Sequence, residues 1–203
     1  MKSTIKKRTY KAIYRLLDRV SPISEDCGKL CGAACCNCGG DSSSDDDTSF
    51  ELGIYLLPGE EKLYDRREDW LKWSIERAED YDFPDSWFGK LYFIRCKTPP
   101  VCPRSHRPLQ CRFFPLAPHF DDEGKLRLIL FSGELPYSCP LIDERRKLQP
   151  EFIKATYTVW KHLIRDEKLF DLVEMDSADR EYNEIEPVYV TGPKSIFAET
   201  KDI

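Results

Sequence analysis

Five cysteines crowd into twelve positions, Cys27, Cys31, Cys35, Cys36 and Cys38, and four more follow at Cys96, Cys102, Cys111 and Cys139. Thiolate sulfur is a common ligand of zinc and of iron–sulfur clusters, and each needs about four donors that converge. A buried structural cysteine explains any one of these positions but not the front five together. Two closely spaced ligands from each of two distant loops is the usual solution, and the metal then staples remote segments and contributes directly to folding. Cys35 and Cys36 are adjacent. Neighbouring side chains are expected to diverge, which would send them to different metals or to opposite edges of one cluster. A disulfide between them would be strained.

The same cysteines argue against an exported disulfide scaffold. Such chains are usually shorter and even in cysteine count, whereas this one has 203 residues and nine cysteines. The opening MKSTIKKRTYKAIYRLLDRV lacks the apolar stretch and small-residue cleavage site of a secretory leader. An amphipathic first helix is expected there rather than an Arg-rich organellar presequence, and the protein is expected in the cytoplasm.

The front run CGKLCGAACC (27 to 36), the middle run CPRSHRPLQCRFFPL (102 to 116) and the late Cys139 resemble a family of zinc- or iron-chelating domains defined by eight cysteines. That family opens CxxCxxCC, and its middle reads Cys, an Arg-Pro pair, then Cys-Arg and an aromatic-Pro. The matching positions here are Cys27, Cys31, Cys35, Cys36, Cys96, Cys102, Arg107, Pro108, Cys111, Arg112, Phe114, Pro115 and Cys139. The front cysteines here are spaced by three residues where the family has two. The resemblance spans about residues 27 to 140 and implies a metal site held by Cys27, Cys31, Cys35, Cys36, Cys96, Cys102, Cys111 and Cys139. Cys38 stands outside the pattern. Some members of the family are associated with protein lysine methylation, although nothing in this chain resembles a methyl-donor site.

Charge supports grouped thiolates independently. From Arg95 to Phe120 there are five basic residues, Arg95, Lys97, Arg104, Arg107 and Arg112, and no acid. Four thiolates around one zinc ion leave two negative charges, and nearby guanidinium groups would both lower thiol pKa values and offset that charge. Arg107 and Arg112 are therefore expected to support the metal ligands from behind; the alternative is plain surface charge. A nucleic-acid patch fits poorly with a chain whose net charge is −5.

Other candidates carry less. His106 and His119 could complete a zinc site, but cysteines suffice, and His162 reads as structural. Asp41, Asp45, Asp46 and Asp47 lack the glycine and distal glutamate of a calcium loop and read as a solvated turn. Trp70, Trp73, Trp87 and Trp160, with Phe113 and Phe114, read as core and as an apolar shell around the metal. No phosphate-binding loop, dinucleotide fingerprint, nucleophile elbow or HExxH motif is present.

These residues need elements to hold them. Apolar residues make up 41% of the chain and aromatics 12%, enough for a core, and no apolar run reaches the roughly 18 residues of a membrane span. Residues 3 to 20 pattern as a helix with Ile5, Ala12, Ile13, Leu16, Leu17 and Val20 to one side and a basic face opposite. FELGIYLLP (50 to 58), LYFIRC (91 to 96) and LRLILF (126 to 131) pattern as strands, the last preceded by the turn sequence DDEG. Pro58-Gly59-Glu60-Glu61 looks like a helix start, with the helix running to about Ala78. Pro150 suits the first position of a final long helix bearing Phe152, Ile153, Thr156, Val159, Trp160, Leu163 and Ile164 inward.

The expectation is an α+β fold: a small cysteine-rich, metal-stapled domain of short strands with peripheral helices. Residues 1–26 form the first helix, 27–175 the metal-binding domain and 176–203 a loose acidic tail. The expected function is metal binding, leaning to an iron–sulfur cluster of the [4Fe–4S] type over zinc, in a structural, carrier or redox role. Two other classes stay open: a cluster-dependent, protein-modifying enzyme, and a zinc-stapled module that engages a protein through the basic first helix.

Overall fold

A computed structural model describes residues 3–37, 53–97 and 103–203. Cys38, Cys102, the four aspartates of the 41–47 stretch and the first residues of the expected strand at 50 lie outside them. The architecture is α+β, built from seven helices and two small antiparallel sheets among the described residues. None of those helices is long and apolar enough to cross a membrane.

The first helix, α1 (Lys7–Leu17), forms where the sequence predicts it. It buries Tyr10, Ile13, Tyr14 and Leu17 and leaves its lysines and arginines in water. The inward face is turned from the expected one, because two tyrosines replace Ala12 and Leu16 on it. Each has a polar end that finds a partner indoors: Tyr10 Oη donates to the Pro58 carbonyl at 2.9 Å. Burial of four such side chains contributes about 1.5–3 kcal/mol each before conformational entropy is charged against it.

The first sheet has the order β1-β3-β2, with β1 at Ile54–Tyr55, β2 at Leu71–Arg77 and β3 at Lys90–Cys96. β2 overturns the expected helix from 60 to 78. Only Glu60–Leu63 turns helically, as one 3-10 turn. Beyond it, Leu71, Trp73 and Ile75 alternate with Lys72, Ser74 and Glu76, a period of two that a strand satisfies and a helix does not. β2 pairs along β3, Leu71 opposite Cys96, Trp73 opposite Ile94 and Ile75 opposite Tyr92. Ile75 on β2 is 48% exposed. Leu56, Leu71 and Ile94 form a small core of their own on this sheet.

The second sheet pairs β4 (Leu116–Phe120) with β5 (Leu126–Leu130), closed by the predicted turn. Asp121 makes that turn: its Oδ1 accepts the Glu123 and Lys125 amides at 3.1 and 2.9 Å, and Gly124 takes a φ of 70°. Helix α6 (Pro150–Leu163) begins at the expected proline and packs Phe152, Ile153, Thr156, Val159, Trp160 and Leu163 inward. It is not the last helix. α7 (Glu167–Tyr182) follows and packs along β4.

The end of the chain is acidic but not loose, which corrects the expected tail. Residues up to Tyr182 continue α7, and the following segment adds itself to β5 through an Ile129–Tyr189 bridge. Leu130 N donates to the Val188 carbonyl at 2.9 Å and Val190 N to the Leu128 carbonyl at 2.8 Å. Val190, Thr191 and Thr200 are fully buried, and the Thr200 hydroxyl donates to the Val190 carbonyl at 2.6 Å. Gly192 lets this segment fold over Arg127: its φ is 83° and a β-carbon there would stand 2.7 Å from the guanidinium. The net acidity of the segment had masked the few apolar and hydroxyl residues that anchor it.

Candidate metal centre

The front cysteines stand on two one-turn helices. Cys27 precedes α2 (Gly28–Cys31), and α3 (Ala34–Asn37) carries Cys35 and Cys36. Between them the chain reverses through two consecutive residues of positive φ, Gly32 at 61° and Ala33 at 57°. Asp26 starts the turn, its Oδ1 accepting the Gly28 amide at 3.1 Å, and Ala33 N closes it on the Gly28 carbonyl at 2.8 Å. A non-glycine residue in the left-handed region is uncommon and marks a turn that the surroundings enforce. Cys27 and Cys31, four apart, rise on one face of the first turn.

The reversal brings Cys35 and Cys36 together rather than apart. Their sulfurs are 3.9 Å from one another. The expectation that neighbouring side chains diverge is thereby corrected, because α3 is too short and too exposed to force them onto opposite faces. Two thiolates on one tetrahedral ion at about 2.3 Å stand about 3.8 Å apart, the same separation. Cys27 and Cys111 lie close enough to Cys35 for their charge to raise its pKa. Cys111 arrives from α4 (Leu109–Phe113), whose Leu109 and Phe113 are anchored in the core.

The pair shares a proton unequally. The hydrogen bond between the two sulfurs pulls the Cys36 pKa down to about 6 against the opposing effect of burial, and the Arg107 guanidinium lowers it further. Cys35 is pushed up by that same bond, by burial and by the neighbouring sulfurs. A cation bound between them would displace that proton.

Cys139 is only 6% exposed and stands at the start of α5 (Pro140–Asp143), where its amide donates to Asp143 Oδ2 at 3.0 Å. Burial raises its pKa, and Cys31 is close enough to add to the rise. Cys96 ends β3 and is exposed. Thus Cys27, Cys36 and Cys111 lie within electrostatic reach of Cys35, and Cys31 within reach of Cys139. Among the described residues no group of three or more cysteine, histidine, aspartate or glutamate side chains stands at metal-binding geometry.

The two arginines have different neighbours. Arg107 acts on Cys36. Arg112 has a side chain only 6% exposed, turned toward α1: its Nη1 donates to Asp18 Oδ1 at 2.7 Å, its Nε to the Arg107 carbonyl at 2.6 Å, and its guanidinium lies 4.3 Å from the Tyr14 ring centre. It is not plain surface charge: its side chain is buried against Asp18 and Tyr14.

The core has a centre the sequence did not disclose. Glu60 is 0% exposed. Its Oε1 accepts from Tyr14 Oη at 2.5 Å and from the Leu109 amide at 2.9 Å, and its Oε2 accepts from the Leu57 amide at 3.0 Å. Tyr14 Oη also meets Tyr64 Oη at 2.7 Å. Burial pushes the Glu60 pKa up, and the three hydrogen bonds and Arg112 oppose it. Glu60 thus ties α1, the 3-10 turn and the start of α4 together, two residues from Cys111. No sequence signal marks it, since acids after Pro-Gly are ordinary in a first helical turn.

The three histidines lie on different elements. His106 is exposed, with Nδ1 3.7 Å from Glu68 Oε2. His119 is buried on β4. His162, expected to be structural, faces solvent on α6. Compared with sequence profiles of known families, with curated proteins and with solved structures, the chain has no match.

Proposed function

We propose that the protein binds a metal ion through thiolates, with Cys35 and Cys36 as two ligands of the same ion and Cys27 and Cys111 as the nearest further donors. The observation that carries this reading is the 3.9 Å Cys35–Cys36 separation on a turn held by two positive-φ residues. The donor set fits zinc: sulfur-rich, close to Arg107, and anchored to the core through α4. The centre would be structural or a carrier site, since thiolates that all serve the ion leave no open position for chemistry. The resemblance to eight-cysteine chelating domains agrees with this reading.

A second reading is favoured by the cysteine count. Nine cysteines exceed what one zinc needs, and an iron–sulfur centre with Cys35 and Cys36 on one iron would keep their separation. A [4Fe–4S] cluster, in which each iron takes one cysteine, suits that separation less well.

Metal and acid-labile sulfide analysis of anaerobically purified protein tests both. Zinc at about one ion per chain without sulfide is the expected result; iron with sulfide selects the second reading. Absence of both metals, with the thiols recovered as disulfides, overturns the proposal.

A further inference from the structure

An open groove of about 910 Å³ runs between the end of β4, one face of α7 and the segment from 185 to 196, and no cysteine among the described residues lines it. Three of the large apolar side chains that remain exposed, Phe170, Ile185 and Ile196, line it. Five carboxylates face three cations along its walls. Asp121 is held by Arg127 at 2.8 Å, and Arg180 is tied to Ser132 and to the Asp176 carbonyl. Glu174, Glu181 and Glu186 have no ion-pair partner among the described residues. Glu174 and Glu181 are seven apart, so two turns of α7 present both to the same side as Phe170.

At the floor is His119. It is 7% exposed, and its Nδ1 is buried without a hydrogen-bond partner among the described residues. Buried polar atoms are rarely left so. The Tyr189 ring stands 5.8 Å from the imidazole. Burial and the nearby Arg180 lower its pKa, so the ring is neutral and carries both a donor and an acceptor.

We propose that this groove binds an extended polypeptide segment in which lysine or arginine alternates with large apolar side chains. The apolar residues would cover Phe170, Ile185 and Ile196, and the cations would meet Glu174, Glu181 and Glu186. A backbone amide or carbonyl of the segment would engage the His119 imidazole. An open trough suits a chain entering and leaving at both ends, where a small molecule would remain largely in water. The site is independent of the cysteines.

A fluorescein-labelled ten-residue peptide alternating lysine and leucine, titrated into the full-length protein by anisotropy, tests this. A matched peptide with glutamate for lysine is the control. Saturable binding of the basic peptide, weakened at least tenfold by the surface double variant Glu174→Lys, Glu181→Lys, is expected, with no binding of the acidic peptide. The imidazole proton resonances of the three histidines give a second readout, and His119→Asn assigns one of them. Only the His119 resonance should move on peptide addition. Binding unaffected by the double variant, binding of the acidic peptide, or an unmoved His119 signal overturns the proposal. So does benzylamine alone if it displaces the peptide and moves the same resonance, which would make the groove a small-cation site.

Discussion

Glu60 and Cys35 are both acids held beside α4, and the protein treats them oppositely. The carboxyl of Glu60 is surrounded by donors the fold itself supplies: a tyrosine hydroxyl and two backbone amides. The thiol of Cys35 is surrounded by other acids, namely Cys36, Cys27 and Cys111. A group whose neighbours are donors is complete and serves the fold. A group whose neighbours are acids can lose its proton only if positive charge comes from elsewhere. Arg107 supplies it to Cys36; a metal ion would supply it to Cys35.

The largest effect that could break this contrast is at Glu60. Replacing it by alanine leaves the Leu57 and Leu109 amides buried and unsatisfied, at about 1–3 kcal/mol each. Urea unfolding should show a loss of roughly 2–5 kcal/mol, equal with and without chelator. If the loss vanishes in chelated protein, Glu60 acts through the metal and the contrast fails.

Cys35→Ser, Cys36→Ser and Cys111→Ser should behave in the reverse way. Chelated protein should keep its stability within about 0.5 kcal/mol, while the stabilisation added by metal, about 3–4 kcal/mol at 100–1,000 times Kd, disappears. Cys38→Ser should leave metal content unchanged. Loss of stability in the chelated serine variants would place these thiols with Glu60 instead.

The two arginines sharpen the division on a smaller scale. Arg112→Gln breaks contacts to Asp18 and Tyr14 and should cost roughly 1–3 kcal/mol. In metal-free protein, the alkylation rate of Cys36 should titrate near pH 6 and shift upward in Arg107→Gln, with no shift in Arg112→Gln. A shift in the second variant alone would exchange the roles of the two.

Asp176 gives the smallest effect. It is half-buried on α7, and burial raises its pKa from 3.8 to about 6. The folded state therefore binds its proton more tightly than the unfolded state. Its contribution to stability is full below about pH 4 and is lost as pH rises through about 6. Asp176→Asn removes that loss, so relative to wild type the variant should gain on the order of 1 kcal/mol between pH 4 and pH 7. A flat difference across that range would show Asp176 to be solvated.

Where periodicity was unmixed, the sequence was a good guide. α1, β3, β5 and α6 form where the patterns put them, because their apolar spacing fits one period only. β2 was hidden because Leu63, Leu71 and Ile75 satisfy a helical spacing as well as an alternating one, and pairing with β3 decides between them. The closing segment was hidden because Val190, Thr191 and Thr200 are sparse among acids and bury through long-range contacts. That Cys27, Cys35 and Cys36 lie near one another follows from their closeness in sequence; Cys111, 75 positions further on, is brought near only by the core-anchored α4. The Glu60 centre does not follow from closeness in sequence, since its partners come from positions 14, 57 and 109.

The most direct test of the thiolate centre is a cobalt(II) titration of anaerobic, metal-free protein followed in the visible spectrum. The account predicts tetrahedral, sulfur-rich bands that saturate at about one equivalent, with protons released as the thiols bind. The bands should be lost in both Cys35→Ser and Cys36→Ser. Octahedral, oxygen-type spectra in the wild-type protein, or unchanged bands in both variants, would contradict it.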